Sequence, residues 1–108
     1  MCLLSRYQST WKAAYLLGKY LCEKMGTQGS WLKEMTELHK QEGKPLRVLE
    51  LGSGTGLGGI TMAKLLELEQ PTLAGTVCLT DICIRALEVI NTNLTLAGNL
   101  TSHENVTT

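Results

Sequence analysis

Apolar residues recur every three or four positions in the first part of the chain, which is the spacing of an amphipathic helix. Two stretches, 10–25 and 31–41, have this pattern. In the first stretch, the positions are Trp11, Ala14, Tyr15, Gly18, Leu21, Cys22 and Met25, and in the second, Trp31, Met35 and Leu38. Between the stretches, Gly26 supplies a helix stop and Ser30 a helix cap. The pattern therefore predicts two N-terminal helices within residues 1–45.

Short apolar runs bounded by glycine, proline or an acidic residue predict buried strands in the middle of the chain. The runs 46–51 and 76–80 have this character. Helical spacing of apolar residues returns over 57–69 and over 84–97. After these, only Val-Thr-Thr at 106–108 indicates the start of another strand. Alternation of strand and helix favours an α/β domain with a parallel sheet.

This order of elements predicts the N-terminal part of a doubly wound sheet, preceded by two helices. We divide the chain into N-terminal helices (1–45), a βαβα core (46–98) and a polar tail (99–108). A complete doubly wound sheet needs roughly 200 residues, at ~30 residues for each strand and helix. The chain has 108 residues. We therefore expect a partial domain, produced by a splice form, a partial gene model or a decayed copy.

Composition and charge narrow the classes of partner. Hydrophobic residues make up 44% of the chain, too many for a disordered protein. Lys and Arg number 10, as do Asp and Glu, so no field of one sign would attract nucleic acid or an anionic membrane. No two cysteines have the two-residue gap of a zinc site, and no secretory signal is recognisable. We expect no metal, nucleic-acid or membrane partner, and a cytoplasmic or nuclear location.

The turn after the first predicted strand is rich in glycine and reads Gly52-Ser53-Gly54-Thr55-Gly56. Glycine tolerates a tight turn, and its missing Cβ lets a ligand approach the main chain. The helix that follows directs free N–H groups at such a ligand. Asp81 ends the next strand, which lies beside the loop in a parallel sheet, and a carboxylate there accepts the hydroxyl protons of a ribose. The pattern indicates a nucleoside-bearing ligand.

The positions of the glycines relative to the end of the strand help to distinguish a dinucleotide from other nucleoside-bearing ligands. The segment 54–59 matches the dinucleotide pattern G-x-G-x-x-G, which alone is a weak signal. Counting from Gly52 instead places Leu57 where the third dinucleotide glycine should stand. Glu50 lies two residues before Gly52, and its carboxylate would repel a pyrophosphate but suit a cationic ligand. A fragment of a nicotinamide-dependent oxidoreductase is the less favoured alternative.

Residues 48–57 resemble motif I of the seven-stranded, S-adenosylmethionine-dependent methyltransferases. Within them the chain is similar to the methyltransferase-like protein-lysine methyltransferases, most of all to the branch that acts on elongation factor 2. The segment 10–14 resembles their Trp-x-Ala-Ala element, Thr80-Asp81 resembles their acid after motif I, and a helix end with Asn91 and Asn93 is typical of them. The resemblance implies a Rossmann-like fold, S-adenosyl-L-methionine as cofactor, and a protein substrate such as a translation factor or a chaperone.

The resemblance also implies cofactor-binding roles for Trp11, Glu50, Gly52, Ser53, Gly54, Gly56 and Asp81. The loop would line the methionine end of the cofactor, with Glu50 supporting that end. Asp81 would bind the ribose, and Trp11 would pack at the pocket. Each residue also has a structural alternative. The glycines could serve only a tight turn, and Glu50 could bind loop amides. Asp81 could be the N-cap of the following helix, and Trp11 could pack in the core.

The family's residues that guide the lysine come from later strands, so the catalytic residues of this chain are unknown. The main alternative to an enzyme is a catalytically inactive remnant or an interaction module.

Overall fold

A computed structural model describes residues 12–70, 75–97 and 106–107. Its helices and strands are α1 (Lys12–Met25), α2 (Trp31–Glu42), β1 (Arg47–Glu50), α3 (Leu57–Glu69), β2 (Thr76–Leu79), α4 (Ile84–Ala97) and β3 (Val106–Thr107). The strands form one parallel sheet in the order β1-β2-β3. This is the mixed α/β arrangement, with two helices ahead of the sheet, that the alternation of elements predicted. None of the helices in these ranges combines the length and apolarity needed to cross a membrane.

The ends of α2 are set by its capping residues, of which Ser30 was predicted. The Ser30 hydroxyl accepts a hydrogen bond from the Lys33 amide at 3.1 Å, which satisfies one free donor of the first turn. At the other end Gly43 has a φ of 67° and closes the helix in the left-handed conformation. Helices α3 and α4 also have their predicted bounds.

The predicted strands, 46–51 and 76–80, are slightly longer than β1 and β2. The two strands pair in parallel with Val48 opposite Val77. One hydrogen bond continues the ladder at each end, from the Thr76 amide to the Leu46 carbonyl and from the Thr80 amide to the Glu50 carbonyl, each 3.0 Å long. The flanking residues therefore contribute single ladder bonds without extending the assigned strands. Strand β3 lies at the point where the sequence indicated a further strand.

One face of the sheet is packed into the hydrophobic core. Leu79 and Val77 of β2 are almost fully buried, in one cluster with residues of α3 and α4 that include Met62, Leu66, Ile90 and Leu94. A Cβ on Gly59 would overlap the Leu79 side chain, so α3 approaches β2 as closely as a glycine allows. This approach brings the N-terminus of α3 to the carboxyl ends of the strands.

The apolar stripes of α1 and α2 are only partly buried, which the spacing did not predict. In α1, Gly18 and Met25 are buried whereas Tyr15 is exposed. In α2 the buried residues are Leu32 and Thr36, and the predicted stripe of Trp31, Met35 and Leu38 is 50%, 41% and 53% exposed. Among the described elements α1 packs against α2 and α3, and α2 packs against α1. Helical periodicity identifies a face, but neighbours decide whether that face is covered.

Candidate functional site

The glycine loop joins β1 to α3 in a conformation that needs its glycines. Gly52, Gly54 and Gly56 have φ angles of 67°, 58° and 89°, in the left-handed region that other residues rarely adopt. Ser53 and Thr55 alternate with them and are buried. The spacing of the glycines therefore follows from the backbone of this turn, whatever ligand the loop binds.

Hydrogen bonds hold the loop against the end of β2. The Ser53 amide donates to the Thr80 carbonyl at 2.8 Å, and the Thr80 amide donates to the Ser53 hydroxyl at 3.1 Å. The Thr80 hydroxyl donates to the Glu50 carbonyl at 2.7 Å. Loop, β1 and β2 are thus joined at one edge of the sheet, which places Asp81 beside the loop.

Asp81 bridges the glycine loop and the turn before α4. One carboxylate oxygen accepts from the Gly54 amide at 3.1 Å and the other from the Cys83 amide at 2.9 Å. Because α4 begins at Ile84, the bond to Cys83 lies in the turn ahead of the helix, so Asp81 is not its N-cap. Each carboxylate oxygen has two lone pairs, and each can therefore accept a further hydrogen bond.

Glu50 caps α3 from the neighbouring strand. The N-cap residue of α3 is Gly56, which has no side chain to accept the amides of the first turn. A Glu50 carboxylate oxygen accepts from the Gly59 amide at 3.1 Å instead. Burial raises the pKa of Glu50, although hydrogen bonds from Ser53 and Gly59 partly oppose this. Glu50 thus has a structural role, but the amide that it binds lies in the first turn of α3 and not in the loop, where the structural alternative placed it.

A cleft of about 800 Å³ opens over the loop. It is lined by Ala13, Ala14, Leu17, Glu50, Leu51, Gly52, Ser53, Gly54, Thr55, Thr80, Asp81 and Ile82. The lining thus combines apolar residues of α1 with the loop and the strand ends, which include the two acidic residues Glu50 and Asp81. Volumes of roughly 300–1,000 Å³ are typical of sites for small molecules and cofactors.

A family model described as lysine methyltransferase matches residues 5–108, a span that includes the loop and both carboxylates. The chain belongs to the lysine methyltransferase family. No match to a curated protein or to a solved structure was found. The match confirms the predicted resemblance at the level of the family. The elongation factor 2 branch stays a prediction.

Most of the predicted site residues of this lysine methyltransferase family member lie together. Glu50, Gly52, Ser53, Gly54 and Asp81 all line the cleft. Gly56, the last residue of the loop, is buried, and an added Cβ there would come within 3.3 Å of Ile60 and of Ile90. Trp11 is outside the described residues. In the described part of the chain, no three His, Cys, Asp or Glu side chains form a group that could hold a metal ion.

Three residues at the site were not among those predicted to bind the cofactor. Thr80 bonds to the loop, Ile82 lines the cleft with its side chain fully exposed, and Asn93 bonds to the loop from α4. The position of Thr80 and Ile82 on either side of Asp81 could have identified them. Asn93 was noted only as typical of the family, because nothing in the spacing relates it to the loop.

Proposed function

We propose that this chain is the cofactor-binding half of an S-adenosylmethionine-dependent methyltransferase that modifies protein lysine. The observation that carries the proposal is the placement of Glu50 and Asp81 in one cleft, with the glycine loop between them. Membership of the lysine methyltransferase family supports the reaction class.

The cleft has groups that suit each part of this cofactor. Asp81 can accept hydrogen bonds from ribose hydroxyls through its remaining lone pairs. Glu50 places negative charge near the ammonium group of the amino acid end, while the loop brings main-chain atoms close to that end. Ile82 and Leu51, 102% and 78% exposed, offer apolar surface for a base. When bound, S-adenosylmethionine supplies a methyl group carried on a positively charged sulfur.

The topology supports a Rossmann-like fold for the proposed enzyme. Strands β1, β2 and β3 are parallel and adjacent in sequence order, with α3 and α4 in the two connections. The cleft lies beyond the carboxyl ends of β1 and β2, where open α/β sheets bind their ligands. The proposed site is therefore where this architecture favours one.

The substrate is proposed from the family and the resemblance: a lysine on a protein such as a translation factor or a chaperone. A cytoplasmic or nuclear location stays a prediction.

A nicotinamide dinucleotide suits the cleft less well, because Glu50 would face its pyrophosphate. An inactive remnant or interaction module would show no turnover. Transfer of a labelled methyl group to candidate proteins measures turnover, and a methylated product would exclude this alternative.

Thermal unfolding followed by circular dichroism tests the cofactor. S-adenosylhomocysteine at 100 times its Kd should stabilise the folded chain by about 2.7 kcal/mol and raise the Tm. Asp81→Asn should reduce this shift, whereas Glu88→Gln, on the exposed surface of α4, should leave it unchanged. A cooperative transition that S-adenosylhomocysteine does not move would contradict the proposal. A larger shift with a nicotinamide dinucleotide would favour the oxidoreductase.

A further inference from the structure

Asn93 joins the middle of α4 to the glycine loop. Its side-chain nitrogen donates a hydrogen bond to the Thr55 carbonyl at 2.7 Å, across 38 positions of sequence. A carbonyl oxygen only accepts, so the contact itself identifies the amide nitrogen as the partner. Asn93 is half-buried and Thr55 is buried, which limits competition from water. The bond therefore ties a fixed helix to a turn that is built on glycines.

The same face of α4 supports the next residue of the loop. Ile90, one helical turn before Asn93, is fully buried, and a Cβ on Gly56 would come within 3.3 Å of it. On the other side of Thr55, the Gly54 amide donates to Asp81. Thr55 and its two glycine neighbours are thus held at successive points by groups outside the loop.

We propose that Asn93 is a positioning residue for the cofactor loop, which rests on the proposed function of the cleft. By holding the Thr55 carbonyl, Asn93 keeps the Thr55–Gly56 peptide plane in the orientation that gives Gly56 its left-handed conformation, next to the Gly54 amide that Asp81 holds. Glycines have more backbone freedom than other residues, so an unheld loop would sample many conformations. The apparent affinity for a ligand falls in proportion to the fraction of loops that are competent to bind.

The affinity for S-adenosylhomocysteine, measured by calorimetry on the full chain, gives the first test. Asn93→Ala should raise the Kd roughly three- to tenfold, the range expected for one hydrogen bond. Asn93→Asp keeps the shape but loses the donor and repels the Thr55 carbonyl when ionised, so its effect should be at least as large. Asn91 is exposed on the same helix, and Asn91→Ala and Asn91→Asp are the matched controls.

Amide hydrogen exchange in the ligand-free chain separates positioning from general stability. The amides of Gly54 and Gly56 are hydrogen-bonded to Asp81 and to Ser53, and can be followed by NMR with glycine-specific labelling. In Asn93→Ala their exchange should accelerate relative to that of the β2 amides. Exchange that accelerates equally throughout the chain, with a lower Tm, would overturn the positioning role.

The outcomes for Asn93 and for the cofactor are distinguishable. If the wild-type chain binds and the Asn93 variants bind as tightly, with loop exchange unchanged, the positioning role is wrong. If the wild-type chain does not bind S-adenosylhomocysteine, the proposed function fails. In that case the exchange at Gly54 and Gly56 decides alone whether Asn93 holds the loop.

Discussion

The carboxylate of Glu50 and the backbone amide of Gly59 are joined by a 3.1 Å hydrogen bond between strand β1 and the first turn of α3. Glu50 therefore stabilises the positive end of the α3 helix dipole, a task that the N-cap residue Gly56 lacks a side chain to perform. Glu50 also lines the cleft. Glu50 can therefore both cap α3 and contribute to ligand binding, and variants at this position can separate the two roles.

Replacing Glu50 should affect stability and ligand affinity to different extents. Glu50→Ala removes the acceptor of the Gly59 amide and should lower the free energy of unfolding by about 1–2 kcal/mol. Glu50→Gln keeps an acceptor oxygen and should cost less stability. Both variants lose the negative charge, so both should weaken S-adenosylhomocysteine binding, roughly ten- to a hundredfold. Urea unfolding and calorimetry measure the two effects, and wild-type affinity in Glu50→Gln would contradict the proposed role of the charge.

The raised pKa of Glu50 predicts opposite pH trends for stability and binding. Between the ordinary value of 4.5 and the raised value, the folded chain holds more protons than the unfolded chain. The contribution of Glu50 to the free energy of unfolding therefore decreases as pH rises through this window. Affinity for a cationic ligand increases over the same window, because Glu50 becomes ionised. Glu50→Gln should remove both pH trends. If the pH profiles of the free energy of unfolding and of the ligand affinity in this variant matched those of the wild type, Glu50 would not be the group that causes them.

Gly59 and Gly18 form a matched pair of helical glycines. A Cβ on Gly59 would overlap the Leu79 side chain, whereas a Cβ on Gly18 would lie at an ordinary 3.5 Å from Thr61. We expect Gly59→Ala to lower the free energy of unfolding by roughly 3 kcal/mol or more through overpacking. Gly18→Ala should be neutral or stabilise by about 0.5–1 kcal/mol, since alanine favours the helix. Chemical denaturation measures both, and equal effects would show that α3 does not approach β2 this closely.

A double variant tests whether Leu79 is the side chain that Gly59 must accommodate. Leu79→Ala alone should cost about 2–5 kcal/mol because it opens a cavity in the core. The double variant Gly59→Ala/Leu79→Ala should lose less free energy of unfolding than the sum of the losses in the two single variants. The reason is that the smaller side chain at position 79 makes room for the new methyl group. Strict additivity would contradict direct contact between these positions.

Asp81 should affect the loop even without a ligand. Asp81→Ala removes the acceptor for the Gly54 and Cys83 amides, so loop amide exchange should accelerate. Loss of the ribose acceptor should also raise the Kd for S-adenosylhomocysteine by roughly ten- to a hundredfold. The conservative Asp81→Asn keeps one acceptor oxygen and should give smaller effects on exchange. If Asp81→Ala bound S-adenosylhomocysteine as the wild type does, Asp81 would be a structural residue only.

Local signals in the sequence predicted the elements well. Ser30 and Gly43 bound α2 through interactions that lie within a few residues of each other, and such interactions can be recognised from residue type. The exposure of Trp31 could not be predicted in this way. Its burial depends on which elements pack beside α2, and helical spacing carries no information about distant neighbours.

The sequence by itself determined the strand–glycine–helix unit, its acid at the end of the next strand and the family to which these belong. Those features depend on backbone preferences and spacing, which are local properties of the chain. Only the tertiary structure decided that Glu50 caps α3, that Gly59 accommodates Leu79 and that Asn93 holds Thr55. These contacts join residues from separate elements, and their distances are set by how the helices pack on the sheet.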